Sequence, residues 1–413
     1  MTEEMAGATA RVVPSERFSA WKSRNFRLYI YGQMVSFSGT RMQTVALGYL
    51  ISQMTHSGAW LGLIAGVATF PGAIFTPIGG VLMDRFDTRK VLYLTQVAGI
   101  IQALTLGALA LLHLLNRWEM LVLAFISGIV TVVDAPARRT FIMEIVEKRD
   151  LYSANTVNTA IVHLSQLIGP TVGGILIVLM DPGWTFIVNA ATFVPVIGIL
   201  FVMQLKRQAK VQVGIWETLR EGIAYVYSRK QIRYLIILYG AATGLGYSVV
   251  SILPGVADTV FHSPRKALAC LIASVAVGAV TGALLVMVVH EFSPRKFVIA
   301  GFLSMSVALS TFSLGLGLPA SMVSLFFGGL GFTLVGAVLQ TTIQHLVGDL
   351  MRGRVTGLIT AALFSGISFG SIVLGKSVDW FGVSHALMLN GAALFLVASF
   401  AVWFRRDIPS QRV

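Results

Sequence analysis

Apolar runs of about 20 residues recur along this chain from near residue 26 to near residue 404, each long enough to carry a helix across a hydrocarbon core of about 30 Å. Inside lipid the backbone finds no water to bond, so a crossing segment must be a helix or part of a closed barrel. Barrel strands alternate polar and apolar residues over about ten positions, and these runs do not. Only 12% of the residues are charged and 55% are hydrophobic, against the quarter or so of charged residues in a soluble domain. The expected fold class is an all-α membrane protein. The runs lie at roughly 26–52, 60–83, 91–114, 118–137, 153–180, 184–205, 232–258, 267–289, 296–316, 319–345, 354–377 and 383–404, which makes twelve transmembrane helices.

The net charge of +13 invites a nucleic-acid reading, but the placement of the basic residues excludes it. All 31 lysines and arginines except Arg41, Arg117, Arg265, Lys266 and Lys376 fall in the tails or in alternate loops on one side. That asymmetry is the positive-inside pattern, and it predicts that both ends are cytoplasmic. No apolar core followed by a small-residue cleavage site precedes the first run, so no signal peptide is expected. Cys270 sits alone within an apolar run and can build neither a disulfide framework nor a metal site within one chain. No metal and no cofactor are expected.

The longest polar interruption, about residues 206–231, separates six runs from six. The predicted organisation is a cytoplasmic tail at 1–25, a six-helix half at 26–205, a cytoplasmic linker at 206–231, a second six-helix half at 232–404 and a tail at 405–413. In the linker, Trp216, Leu219, Ile223 and Val226 recur at helical spacing while Glu217, Arg220 and Glu221 take other faces, which predicts an amphipathic helix on the inner membrane surface. The loop DRFDTRKVL from Asp84 has a degenerate second copy, HEFSPRKFV from His290, in which Phe86 matches Phe292, Arg89 matches Arg295 and Lys90 matches Lys296. Paired halves of this kind are common in secondary transporters, with the substrate site near the midplane between them.

Residues 79–90, GGVLMDRFDTRK, resemble the signature between helices two and three of the major facilitator superfamily. DAPARR at 134–139 resembles the Asp-x-Pro-x-Arg after helix four in its enterobactin-exporter and macrolide-efflux branch, and QMTHSGAWLGL at 53–63 resembles that branch's first outer loop. GPTVGG at 169–174 resembles the end of the helix-five exporter motif, which assigns Gly169, Pro170, Gly173 and Gly174 to a bend that shapes the cavity or restricts leak. The resemblance covers the whole chain. It implies a bacterial inner-membrane transporter, monomeric, exporting siderophore-like or drug-like small molecules by alternating access and proton antiport.

A carboxylate at the inner end of span two is favourable against the positive N-terminal end of a neighbouring helix. The resemblance sets Asp84 against the start of helix eleven, here RGRVTG with Gly353 and Arg354, as part of a cytoplasmic gate with Arg85, Arg89, Lys90, Asp134 and Arg138. Asp134, read at the inner end of span four, could pair with a basic residue of the 85–90 cluster. Asp87 and Thr88 stand where the family commonly has a glycine and a basic residue. For Arg85, Arg89 and Lys90, the positive-inside pattern alone is an alternative account.

Arg41 lies in the hydrocarbon stretch of span one, about 22 Å from its inner end at about 1.5 Å per residue. Gln33, Ser36, Thr40 and Thr44 form one polar helical face that Arg41 borders, and such a face should look into a water-filled cavity. Three readings stay open for Arg41: contact with substrate or cavity water, a structural ion pair, or outward snorkelling. Glu119 is a stretched candidate partner. An unpaired cavity cation would favour an anionic group on the substrate. Asn155, Asn158, Tyr247, Gln340 and Gln344 complete the candidate cavity on helices that the family uses for it. His163, about ten residues into span five, reads as a structural histidine or as a cavity or proton-relay group.

Enzyme signals fail. GISFG at 366–370 matches a nucleophile pattern around Ser368 but lies within a span, not on a strand-to-helix turn. The rival readings are an importer or lipid transporter on the same fold and, from another class, a membrane enzyme or a transport-inactive receptor.

Overall fold

A computed structural model describes residues 19–83, 86–203, 215–261, 264–288 and 293–403. Asp84 and Arg85, and so the predicted gate carboxylate, lie outside them.

The described chain is helical and contains no strand. The first half supplies α1 (Arg24–Thr55), α2 (Gly58–Met83), α3 (Thr88–Leu111), α4 (Arg117–Ile145), α5 (Leu151–Leu179) and α6 (Pro182–Val202). After α7 (Ile215–Ser228) come α8 (Lys230–Ala241), a π-helical turn (Ala242–Tyr247) and α9 (Val249–Val260), which together make one crossing. The rest are α10 (Pro264–Val288), α11 (Pro294–Ser313), α12 (Leu318–Leu346) and α13 (Asp349–Trp403). α13 contains two crossings, because Gly382 at φ 79° breaks the helical path in a region that a side chain would disfavour. Among the described residues ten helices are long and apolar enough to cross a membrane, with α13 counted once; with α13 divided at Gly382 and α1 added, there are twelve, the number of apolar runs.

Helix starts follow from short polar side chains. Ser23 accepts from the Phe26 amide at the head of α1, and Asn116 with Glu119 forms a capping box at the head of α4. Asp87, the residue that departs from the family pattern, caps α3 by accepting from the Lys90 amide at 3.1 Å. Replacing Asp87 with alanine should lower stability by about 1 kcal/mol, read as an earlier thermal unfolding midpoint, while Asp87→Ser keeps most of it.

Span four differs from its sequence reading. The charged DAPARR stretch was expected to end it near residue 137, yet α4 continues through Pro136 to Ile145. Neighbouring helices tolerate a proline within a membrane helix. Asp134 is therefore not at the helix end but roughly 16 Å inside it, at about 1.5 Å per residue.

In lipid, helices gain little from apolar burial against each other, and small residues set how closely they approach. α2 packs against the first arm of α13 through Gly58, Gly62 and Gly66, which face Gly375, Ser371 and Ser368. Within the second half, Gly278 and Gly282 seat α10 on Phe326 and Leu330 of α12, and Gly244 meets Gly366. Ser368 is buried and donates to the Gly66 carbonyl at 2.8 Å. It holds two helices together.

α7 lies within the interval 206–231 read as a linker. It rests on α13, with Gly222 beside the Arg354 stem and Leu358. Helix alternation defines two faces: a near face, with the turns at 146–150 and 347–348, and a far face, with those at 56–57, 112–116 and 314–317.

Candidate transport site and gates

α1 is enclosed on three sides. Gly32 and Gly39 bring it onto Val196, Asn189 and Thr192 of α6, and Gln43 accepts from Asn189 at 2.7 Å while donating to Gln102 of α3 at 3.1 Å. On another side, Cβ atoms at Gly169 or Gly173 of α5 would press on the Ser38 carbonyl at 2.5 Å and on Met42 at 3.0 Å. Gly174, on a different face of α5, adjoins Ala269 of α10. The helix-five motif thus lays α5 between α1 and the second half, with Pro170 inside a continuous helix.

The remaining side of α1 looks toward the second half. Gly48, about two turns beyond Arg41 and on the same helical face, touches Pro254 of α9. Arg41 and Thr44 are exposed on that face. Arg41 makes no ion pair or hydrogen bond with any described residue. Glu119 does not reach it, because that carboxylate accepts from the Asn116 amide at 3.0 Å in the α4 capping box.

The predicted polar face divides along its length. Gln33 and Ser36 are 1% and 0% exposed, and Ser36 donates to Gln96 of α3 at 3.5 Å. They belong to the interior of the first half, not to a cavity. The lower part of α1 is packed against α3 and α4, and the face opens only from Thr40, half-buried, to Thr44. The Thr40 and Thr44 hydroxyls donate to the carbonyls one turn back, each at 3.0 Å.

Behind this wall sits a buried ion pair. Asp134 is 4% and Arg138 9% exposed; one carboxylate oxygen pairs with the Arg138 Nε, and the other accepts from Thr95 at 2.7 Å and Gln96 at 2.9 Å. The Arg138 guanidinium lies 4.1 Å from the Phe37 ring of α1. Among the described residues, the partner of Asp134 is this arginine one turn on, not the 85–90 cluster. Arg89 instead donates to the Phe201 carbonyl at 3.0 Å, and Lys90 is exposed. Arg354 pairs with Glu221 of α7, and Gly353 has no atom near its Cβ direction.

Depth separates the other candidates. Arg41 and Tyr247 each lie roughly 25 Å along their crossings from the near face at about 1.5 Å per residue. Tyr247 is half-buried in the π-helical turn, its ring 4.8 Å from Phe332. Asn155, Asn158, Gln340 and Gln344 lie within about 10 Å of the near-face ends of α5 and α12. That puts them about 15 Å nearer the near face than Arg41, too far along the crossings to share one site with it. Of these, Asn155 and Gln340 are exposed, and Asn158 and Gln344 half-buried. His163 falls within α5, and its side chain is outside the described set.

The far face is closed by contacts that the sequence reading did not single out. Asp258 of α9 accepts from Gln53 at 2.5 Å and stands 2.9 Å from the His56 ring, while Arg265 donates to Tyr49 at 3.1 Å. Asp379 of α13 takes the Ser57 hydroxyl at 2.7 Å and the Gly58 and Ala59 amides at 2.6 and 3.1 Å. The available signal was two acids near outer helix ends of a chain whose charges otherwise gather on the other side.

A family described as Transmembrane secretion effector matches residues 15–412. The chain is 23% identical to the multidrug efflux pump Tap of Mycolicibacterium fortuitum, over 92% of this chain and 95% of that protein. It is 26% identical to the enterobactin exporter EntS of Escherichia coli O1:K1 / APEC, over 93% and 94%. Among solved structures it is similar to a D-xylose-proton symporter, with a TM-score of 0.74 and 17% identity over 95% of this chain and 99% of that one. The nucleoside transporter NupG gives 0.70 and 13% over 93% and 99%.

Proposed function

Because the chain belongs to the transmembrane secretion effectors, an exporter branch of the major facilitator transporters, we propose that it exports amphiphilic small molecules carrying an anionic group, by alternating access. Such a protein is a carrier, not an enzyme. The observation that carries the substrate class is Arg41: a charged side chain with no ion pair or hydrogen bond to any described residue, held between the halves at mid-depth, where a cation is stable only with water or an anionic partner. The whole-length likeness to proteins named as an enterobactin exporter and a multidrug pump supports efflux of siderophore-like or drug-like compounds.

The reading sets the near face, with the termini, in the cytoplasm of a bacterial inner membrane, a monomer built of two six-helix halves. The drive is proton antiport. Among the described acids, Asp134 alone lies deep within a crossing; the others sit in turns, in α7 or near helix ends. It is the carboxylate through which the proton reading is tested.

The test is binding of a matched pair of compounds, one anionic and one neutral, to wild type and Arg41→Gln. The anion should lose affinity about 10-fold or more, the worth of a hydrogen bond to a charged group, with the neutral compound little changed. Arg41→Lys should restore little, because an ammonium lacks the planar fork. Equal loss for both compounds, or collapse of stability without ligand, would make Arg41 structural. Flux in sealed vesicles gives the direction, and a pH-sensitive dye inside them reads proton coupling.

A further inference from the structure

The first turn of α2 takes part of its cap from the other half of the molecule. The first amides of a helix have no partner within it and carry its positive end. In α2 the Trp60 amide is met locally by Ser57 at 3.4 Å, whereas the Gly58 and Ala59 amides are met by Asp379, about one turn before the Gly382 break in α13. Ser57 adds a third bond, donating to the same carboxylate at 2.7 Å. The carboxylate is on the exposed rim of the far face. Its charge is available to the helix end only while α2 and α13 touch there.

We infer that Asp379 is a detachable N-cap that sets the equilibrium of the far gate: bound to α2 it holds that face closed, and its separation from α2 is a required step in opening it. Three features make it more than a packing contact. The bonded groups lie on opposite halves, so any separation of the halves at this face breaks them. The freed amides and carboxylate lie at the rim, where water can solvate both, so the cap weights the closed state without making it irreversible. Asp258 grips the same α1–α2 turn from α9 through Gln53 and His56, so the turn is held by two carboxylates of the second half. That the far face opens at all rests on the alternating-access reading; the Asp379 contact does not.

Spin labels at Leu114 and Leu316, exposed far-face sites on the two halves, report the gate in a Cys270→Ser background without any substrate. Asp379→Asn keeps the size and removes the charge, and Asp379→Ala removes the cap. Asp379→Ala should raise the ratio of long to short label distances about 2- to 30-fold, the range that a lost N-cap corresponds to, and Asp379→Asn, which keeps one acceptor oxygen but loses the charge, should raise it less, about 2- to 5-fold. Ser57→Ala, which retains the carboxylate, should shift it in the same direction by less. Should an Asp379 variant fail to fold, Asp258→Asn with Ser57→Ala tests the same turn and should likewise lengthen the distances. Unchanged distributions in the folded variants would overturn the inference. Since the readout needs no substrate, a shift here with no selective loss of anion binding in Arg41→Gln would overturn the substrate reading alone.

Discussion

Replacing Asp134 with alanine should destabilise the protein by about 3–5 kcal/mol, the cost of leaving one member of a buried ion pair uncompensated. Arg138 would remain about nine-tenths buried, with the Phe37 ring on one side and no carboxylate in reach among the described residues. The reverse substitution, Arg138→Ala, should cost less. Asp134 would keep the Thr95 and Gln96 donors, at 2.7 and 2.9 Å, whereas Arg138 left alone keeps, among the described residues, only the face of the Phe37 ring. The double replacement Asp134→Leu with Arg138→Met should recover most of the loss, since apolar groups of similar size often replace a buried pair without penalty. Thermal unfolding of wild type and the three variants in one detergent ranks them. If Arg138→Ala proves the more damaging single change, the pair is not holding α4 in the way the contacts indicate. A stable double variant that no longer couples flux to a pH gradient would separate the pair's chemistry from its packing.

The crossing number was legible because hydrocarbon imposes one length on every span, and that signal survives loss of all detail about contacts. The site was legible in a different degree at each residue. Arg41 stood out because an arginine within an apolar run needs an explanation in any fold. Gln33 and Ser36 were assigned to its cavity because helical periodicity gives a side chain's direction but not what occupies that direction. Hydropathy stopped span four at DAPARR because it scores Asp134 and Arg138 separately, whereas together they neutralise each other and let α4 continue to Ile145. The amide chain of Gln43, Gln102 and Asn189 joins three helices far apart in sequence. No local pattern pairs them, although each is a polar residue in an apolar run. Asp258 and Asp379 carry no motif at all. Their meaning lies in the α1–α2 turn that each meets from the other half.

Gly62→Val should nearly abolish closure of the far face and slow transport by an order of magnitude or more. A Cβ at Gly62 would overlap the Ser371 carbonyl, and the next nearest atoms are also backbone, Ser371 C at 2.9 Å and Gly375 Cα at 3.2 Å. Side chains can rotate away from an intruding methyl, but the backbone of a packed helix can only move as a body. Relief therefore requires α2 and α13 to separate, drawing Gly58 and Ala59 away from Asp379 a turn further on. Overpacking of this kind costs about 1–3 kcal/mol, which at 1.4 kcal/mol per factor of ten amounts to about 5- to 150-fold in the closed-to-open ratio. Gly198 supplies the control, because its Cβ direction on α6 meets no atom within 4 Å and Gly198→Ala should leave both transport and label distances unchanged. The far-face labels distinguish the mechanism from simple misfolding. A folded Gly62→Val protein with the wild-type distance distribution would mean that α2 and α13 tolerate the added volume, and that the glycine is not what permits the helices to close.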